Sequence, residues 1–326
     1  MAFSGDLAAQ DQEDTMTTTA STTIESGQAK AQKVPLGATV NIPPRRLDFQ
    51  FDDKTTARYF YDNDPFLSAF WLSLSALFPE GEAFFVDSVR HYRKDITDGK
   101  LKAQVAGFIG QEAMHSKEHE AWNEMGVKFG YPTDKLDKSL GKLLGLVQKR
   151  TPKIFQLAAT VCLEHYTAII AEQLLRESEH QEKILDEATA KLWLWHALEE
   201  NEHKTVAYDV YEKVSGSYAI RAGAMVPTTV IFFAVLAVFQ ARMLASDGRL
   251  LQLKNNWQGM KFLFGRKGLF TKLAPQYLDF FKRDFHPSQH DTDALLDEWR
   301  EKLFGADGML TEQHAQASQR KGKKTH

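Results

Sequence analysis

The stretch "GQEAMHSKEHEAW" (residues 110–122) sets Glu112, His115 and His119 on one face of a helix, because steps of three and four residues return to the same side. Three metal-type ligands thus fall within about 60° of arc. Farther along, "WLWHALEENEHKTVAYD" (193–209) repeats the pattern, with His196, Glu200 and His203 sharing a face and Glu199 at its margin. Two Glu-x-x-His pairs on separate helices are half of what a dinuclear carboxylate site in a four-helix bundle requires. The other half is a lone glutamate from each of two further helices. The pattern predicts that each ion takes a histidine and a carboxylate from the same helix turn.

Both lone glutamates have candidates. "FPEGEAFFVDSVRHY" (78–92) places Glu82 among Phe78, Phe84, Phe85 and Val86, and "TVCLEHYTA" (160–168) places Glu164 inside an apolar run. Desolvating an unpaired carboxylate costs several kcal/mol, so such residues imply a cation waiting inside. In chain order, Glu82, Glu112-x-x-His115, Glu164 and Glu200-x-x-His203 complete the set. His196 is the favoured seventh ligand; His119 and Glu199 are read as extra ligands or as hydrogen-bond partners that orient one. A solvated charged face accounts for Lys117, Glu118 and Glu120, but not for Glu82 and Glu164. His165 points away from Glu164 and reads as packing, as do Tyr166, Trp122, Trp193 and Trp195. Pro287 between His286 and His290 argues for a structural turn.

The surroundings are those of an ordinary globular chain: 326 residues, 43% hydrophobic, 25% charged and a net charge of −3, which excludes a nucleic-acid binder. Cys162 is the only cysteine, so there is no intramolecular disulfide and no cysteine-rich zinc site. Residues 1–33 are acidic and threonine-rich without an export signal and are expected to be a disordered tail. Residues 34–64 read as an extended strap stiffened by Pro43 and Pro44, and helices follow. The predicted fold is all-α, a ferritin-like four-helix bundle with additional helices and disordered termini. A helical di-metal domain spans 34–306, with the bundle at about 64–215 and extra helices at 219–306, and 307–326 form a disordered basic tail.

Residues 222–241, "AGAMVPTTVIFFAVLAVFQA", carry no charge over twenty residues, long enough to span a bilayer core of roughly 30 Å. Spanning would leave the metal bundle outside the cell without an export signal. A helix buried on the bundle, or one dipping into the membrane surface beside an apolar substrate, fits better. The expected location is the cytoplasm, with contact to the inner face of the membrane through 222–241 as the second option.

"FPEGEAFFVDSVR", "FIGQEAMHSKEHEAW", "WHALEENEHK" and "FHPSQHD" together resemble a bacterial family of predicted metal-dependent hydrolases over most of residues 40–300. The arrangement His196-x-x-x-Glu200-x-x-His203 is also similar to the last ligand helix of the di-iron arylamine N-oxygenases, where a third histidine joins four glutamates and two histidines. That second likeness is confined to the ligand pattern and implies dioxygen chemistry at a histidine-rich di-iron centre. The expected cofactors are two iron ions, with manganese or zinc as alternatives. The leading expectation is an enzyme that activates dioxygen, with an outside electron donor, to oxidise an apolar or aromatic organic substrate. A dinuclear metal-dependent hydrolase is the alternative, and iron storage or a metal-free helical scaffold rank lower. Oligomeric state is not legible.

Overall fold

Helix starts follow from local chemistry. Asp64 accepts from Leu67 N at 2.9 Å with Pro65 in the first turn, opening α1 (Pro65–Ser75). Asp98 does the same for Leu101 N, at 2.7 Å, and opens α3 (Gly99–Lys128), the longest helix, after α2 (Phe78–His91). α4 (Thr133–Arg150) leads to α5 (Lys153–Arg176), where Pro152 holds the cap position without a side-chain bond. The stretch from 178 to 214 is divided into three helices. A short α6 (Ser178–Glu182) precedes α7 (Glu187–His203), which Asp186 caps, and the helix breaks at Lys204 and Thr205 before α8 (Val206–Val214). α9 (Tyr218–Ser246), α10 (Leu253–Phe264), α11 (Leu269–Lys272), α12 (Ala274–Asp279), α13 (Asp293–Phe304) and α14 (Thr311–Lys324) complete the chain.

These elements come from a computed structural model that describes residues 37–52 and 54–324; the expected disordered segment 1–33 lies outside them. Among the described residues the fold is all-α, with one isolated bridge between Tyr61 and Ile184. α2 packs on α3 and α5, and α7 packs on the same two, closing a ring of four helices. Residues 42–51 form the predicted strap, with Leu47 and Phe49 buried. It crosses α3 at two glycines: a Cβ on Gly107 would stand 2.5 Å from Ile42 O, and one on Gly110 would stand 2.3 Å from Pro44 Cγ. Only a bare backbone admits the strap this closely.

Two expectations are corrected here. The tail at 307–326 is not disordered over its described part, because α14 runs through Thr311–Lys324. Ala317 is buried, the His314 ring meets Phe304 at 5.7 Å, and Gln313 donates to Leu47 O at 3.0 Å, contacts enough to order a basic segment. Residues 222–241 lie in α9, but only one side of it is covered. Among the described residues two helices are long and apolar enough to cross a membrane, α5 and α9; 72% of the most apolar stretch of α5 is buried, against 17% for α9.

Candidate metal centre

The ring of four helices turns seven of the singled-out residues inward. α2 supplies Glu82, α3 supplies Glu112 and His115, α5 supplies Glu164, and α7 supplies His196, Glu200 and His203; all seven are buried. They gather as two groups, Glu82 with His115, His196 and Glu200, and Glu112 with Glu164 and His203. Within each group one ligand atom per residue lies within 4.8 Å of the others. Eight donor atoms there have no hydrogen-bond partner: Glu82 Oε1, both oxygens of Glu112 and of Glu164, Glu200 Oε2, His115 Nδ1 and His203 Nε2. No lysine or arginine among the described residues pairs with any of these four carboxylates, whose ion-pair contacts are all to histidines.

Such a layer is unfavourable unless cations fill it. Burial, reinforced by the neighbouring carboxylates, pushes Glu82, Glu112 and Glu164 well above the usual carboxylate range. Burial also pulls Glu200 upward, but His196, 2.9 Å away, and the nearby His203 outweigh it and hold that carboxyl low. Burial, then the other histidines, drives His115 well below the ordinary imidazole value. Four carboxylates and three neutral imidazoles carry a charge that two divalent ions would cancel, so the residues fit a dinuclear metal site.

Surrounding side chains decide which nitrogen of each histidine faces inward. Gln111 Nε2 donates to Glu202 Oε2 at 2.8 Å, which leaves Gln111 Oε1 to accept from His203 Nδ1 at 2.9 Å and His203 Nε2 bare toward Glu112 Oε1, 3.1 Å away. His115 Nε2 donates to Glu199 Oε2 at 3.1 Å, so its Nδ1 looks toward Glu200 Oε1 at 3.7 Å and Glu112 Oε2 at 3.9 Å. A longer chain fixes His196. Asn123 Nδ2 donates to Ser75 O, so Asn123 Oδ1 accepts from Ser75 Oγ at 2.8 Å. Ser75 Oγ therefore accepts from His119 Nδ1 at 2.8 Å, and His119 Nε2 accepts from His196 Nδ1 at 2.7 Å. His196 Nε2 then stands 2.9 Å from Glu200 Oε1, a contact that requires a proton or a cation between the two lone pairs.

The structure revises several sequence readings. One group keeps a same-turn pair, His196 and Glu200 of α7, but neither Glu-x-x-His pair stays together: His115 gathers with Glu82, His196 and Glu200 from other helices, and His203 with Glu112 of α3 and Glu164 of α5. The reason is geometric, since His203 Nε2 is 3.1 Å from Glu112 Oε1 while His115, on Glu112's own helix, is 3.9 Å from that carboxylate. His119 and Glu199 stand outside both groups and act as partners of His196 and His115. Glu118 is not on a solvated face. It is 1% exposed and accepts from Asp48 N at 3.1 Å and Phe49 N at 2.7 Å, fastening the strap.

Other readings agree with the structure or need small changes. His165 binds Gln276 O at 3.0 Å, and His286 and His290 pair with Asp209 and Asp279, all away from the centre. Trp122, Trp193 and Trp195 are core residues, but Tyr166 also lines a cleft. Sequence reasoning missed Arg45, which joins Glu199 at 2.8 Å and Glu202 at 2.7 and 2.8 Å, and it missed Gln111 and Ser116, whose Oγ donates to Glu82 Oε2 at 2.9 Å. The signal for Gln111 was present, because it sits beside Glu112 and one turn before His115. Nothing near Arg45 in sequence announces its partners, more than 150 residues away.

An apolar cleft of about 160 Å³ reaches the centre at Glu82, between Phe78, Phe85, Leu144, Tyr166 and Phe232. A smaller space of about 30 Å³ continues beside His196 and Glu200. The Tyr166 hydroxyl donates to Thr229 Oγ1 at 3.1 Å. Among curated proteins and among solved structures, none matches the chain. A family model described as predicted metal-dependent hydrolase matches residues 43–291, which include all seven converging residues and Arg45. Since that match covers most of the 326 residues, the chain belongs to the family of predicted metal-dependent hydrolases.

Proposed function

We propose that Glu82, Glu112, His115, Glu164, His196, Glu200 and His203 hold two metal ions and that the chain is a metal-dependent hydrolase of an apolar substrate. The observation that carries this reading is the set of eight unpartnered, buried donor atoms in two groups, with no lysine or arginine among the described residues paired to their carboxylates. Bound there, a pair of divalent ions would acidify a water molecule and polarise a scissile carbonyl or phosphoryl oxygen. The chain's own residues divide the remaining work. Glu200 Oε1 lies 3.7 Å from both His115 Nδ1 and His203 Nε2, and Glu112 approaches the same two rings, so these two carboxylates are shared between the groups. Glu82 and Glu164 each belong to one group. Glu82 also borders the cleft, so a substrate seated against Phe78 and Phe85 meets the centre at that carboxylate while the apolar walls exclude bulk water.

A second reading, dioxygen activation with oxidation of an apolar or aromatic substrate at a di-iron centre, is favoured by two observations. His196 adds a third imidazole to the ligand cluster. The cleft wall also offers few donors for a developing oxyanion, the Tyr166 hydroxyl being committed to Thr229. One experiment separates the readings. Metal-free protein is loaded anaerobically with zinc, manganese or ferrous iron, its ions are counted, and each form is assayed on an ester and phosphoester panel and mixed with oxygenated buffer in stopped flow. The expected result is two ions per chain and cleavage by the zinc or manganese form. An oxygen-dependent optical change in the ferrous form, without cleavage by any form, would transfer the assignment to the second reading.

A further inference from the structure

The outward side of α9 departs from what water requires. A surface helix ordinarily turns polar residues outward, yet Val226, Val230, Ile231, Ala234 and Val238 are all exposed, Val230 at 61%, and no charge interrupts the helix from Ala222 to Ala241. The stripe from Val226 to Ala241 is roughly 23 Å long. It does not end at the helix. An apolar groove of about 510 Å³ joins Ala237 and Ala241 to Met260 and Phe264 of α10; Leu251 in the turn before α10 is 85% exposed and Leu253, its first residue, 73%. On the other flank, the mouth of the cleft to Glu82 lies between Ile231 and Leu143 of α4, both exposed. Continuous apolar surface of this extent marks a binding face.

Charge identifies what covers it. Between Gln240 and Leu278 the chain carries seven basic residues and one acidic residue, Asp247, and Asp247 is already paired with Arg58. Arg242, Lys254, Lys261, Arg266 and Lys267 are exposed around the apolar surface, with Trp257 among them at 62%. Across the cleft mouth, exposed Leu143 and Leu146 stand beside Lys142, Lys149 and Arg150. Apolar side chains ringed by basic ones, with an aromatic at the border, complement an anionic bilayer surface. A second copy of the chain would set these basic rims against each other. The inner side of α9 packs on α1 and α5, with Met225, Leu236 and Phe239 buried, so only its outer side is left to meet a membrane.

We propose that α9, the 249–264 segment and the exposed edge of α4 seat the protein on an anionic lipid bilayer. Resting on the enzymatic reading above, we further infer that a membrane-dissolved apolar substrate passes between α4 and α9 to Glu82. Co-sedimentation of the full chain with vesicles of phosphatidylcholine, alone or mixed with phosphatidylglycerol, tests the docking. The protein is expected to partition onto the mixed vesicles. Val230→Glu with Val238→Glu should abolish partitioning, and Lys254→Glu with Lys261→Glu should weaken it on the order of tenfold or more. All variants should keep wild-type melting and metal content, since none of these residues lines the cleft or the centre.

No partitioning, equal partitioning by all variants, or a dimer in solution that Val230→Glu dissolves would overturn the docking. Cis-parinaric acid, a fluorescent fatty acid, probes the route. It should bind the wild type and be blocked by Leu144→Trp, which fills the cleft but leaves vesicle binding intact; undiminished binding to that variant would overturn the route. Vesicle binding by a chain that holds no metal would sink the enzymatic reading alone, and two ions per chain without vesicle binding would sink the docking alone.

Discussion

Glu199→Gln asks whether a buried carboxylate beside the centre orients a ligand or serves as one. Its Oε2 lies 3.1 Å from His115 Nε2 and its Oε1 accepts from Arg45 at 2.8 Å, so both oxygens are committed away from the converging donors. Glutamine keeps the volume but has one oxygen and an amide NH2. Whichever way the amide turns, it sets a donor against either His115 Nε2–H or Arg45, and the imidazole loses an anionic acceptor. Partners of this kind are worth roughly 10–100-fold in metal affinity, or about 1.4–2.7 kcal/mol. The low end is expected, because Trp195, 4.9 Å from the His115 ring, holds the imidazole in place by packing. The metal-free fold should change little, since burial already pushes the Glu199 carboxyl up to about 8 against the pull of Arg45. Titration against a chromophoric chelator measures the affinity, and elemental analysis counts the ions. Loss of one whole ion per chain would make Glu199 a ligand. Affinity unchanged within about twofold would refute the orientation of His115 through Nε2.

Three further outcomes follow from the same geometry. Glu82→Ala should lower the metal content measured by elemental analysis, whereas Glu120→Ala, on the exposed side of α3, should leave it at the wild-type value; equal content in both would remove Glu82 from the site. Glu118→Ala leaves the N–H groups of Asp48 and Phe49 without their carboxylate and should cost about 2–4 kcal/mol in urea unfolding, with a loss under about half a kcal/mol refuting the clasp. Burial, with Glu80 and Glu120 nearby, pushes the half-buried Asp137 carboxyl up to about 6 from 3.8. The folded chain therefore binds that proton more tightly, and the associated stability is present at low pH and is lost as pH rises through about 6. Asp137→Asn should flatten this dependence by about 1 kcal/mol between acid and mildly alkaline buffer, a figure reduced for partial solvent screening.

What the sequence reveals and hides divides along a physical line. Helical periodicity converts spacing into direction, and apolar neighbours mark a residue as buried, which is why Glu82 and Glu164 stand out and why all seven converging residues can be picked from one chain. Neither rule carries information about the helix that arrives from elsewhere. Glu112 and His115 share a turn of α3, yet His203 of α7 comes closer to Glu112 than His115 does, because facing helices interleave their side chains. Glu118 fails the neighbour rule in the opposite sense: Lys117, His119 and Glu120 make it look solvated, and only the strap, some 70 residues earlier, takes it out of water. α9 defeats both rules, since a helix that is apolar all round has the same sequence whether protein or lipid covers its outer side.

The strap shows what this costs a helix-centred reading. It has no helical periodicity; the short alternation of Leu47, Phe49 and Phe51 marks an inward side but says nothing of what Arg45 reaches. Yet it is fixed to α3 through Glu118, and from it Arg45 reaches Glu199, which holds His115. The orientation of a histidine in the innermost layer thus depends on a segment outside the bundle. A change such as Arg45→Met would act on the centre through Glu199 and Glu202, two buried carboxylates that lose their shared cation, although Arg45 touches none of the seven converging side chains.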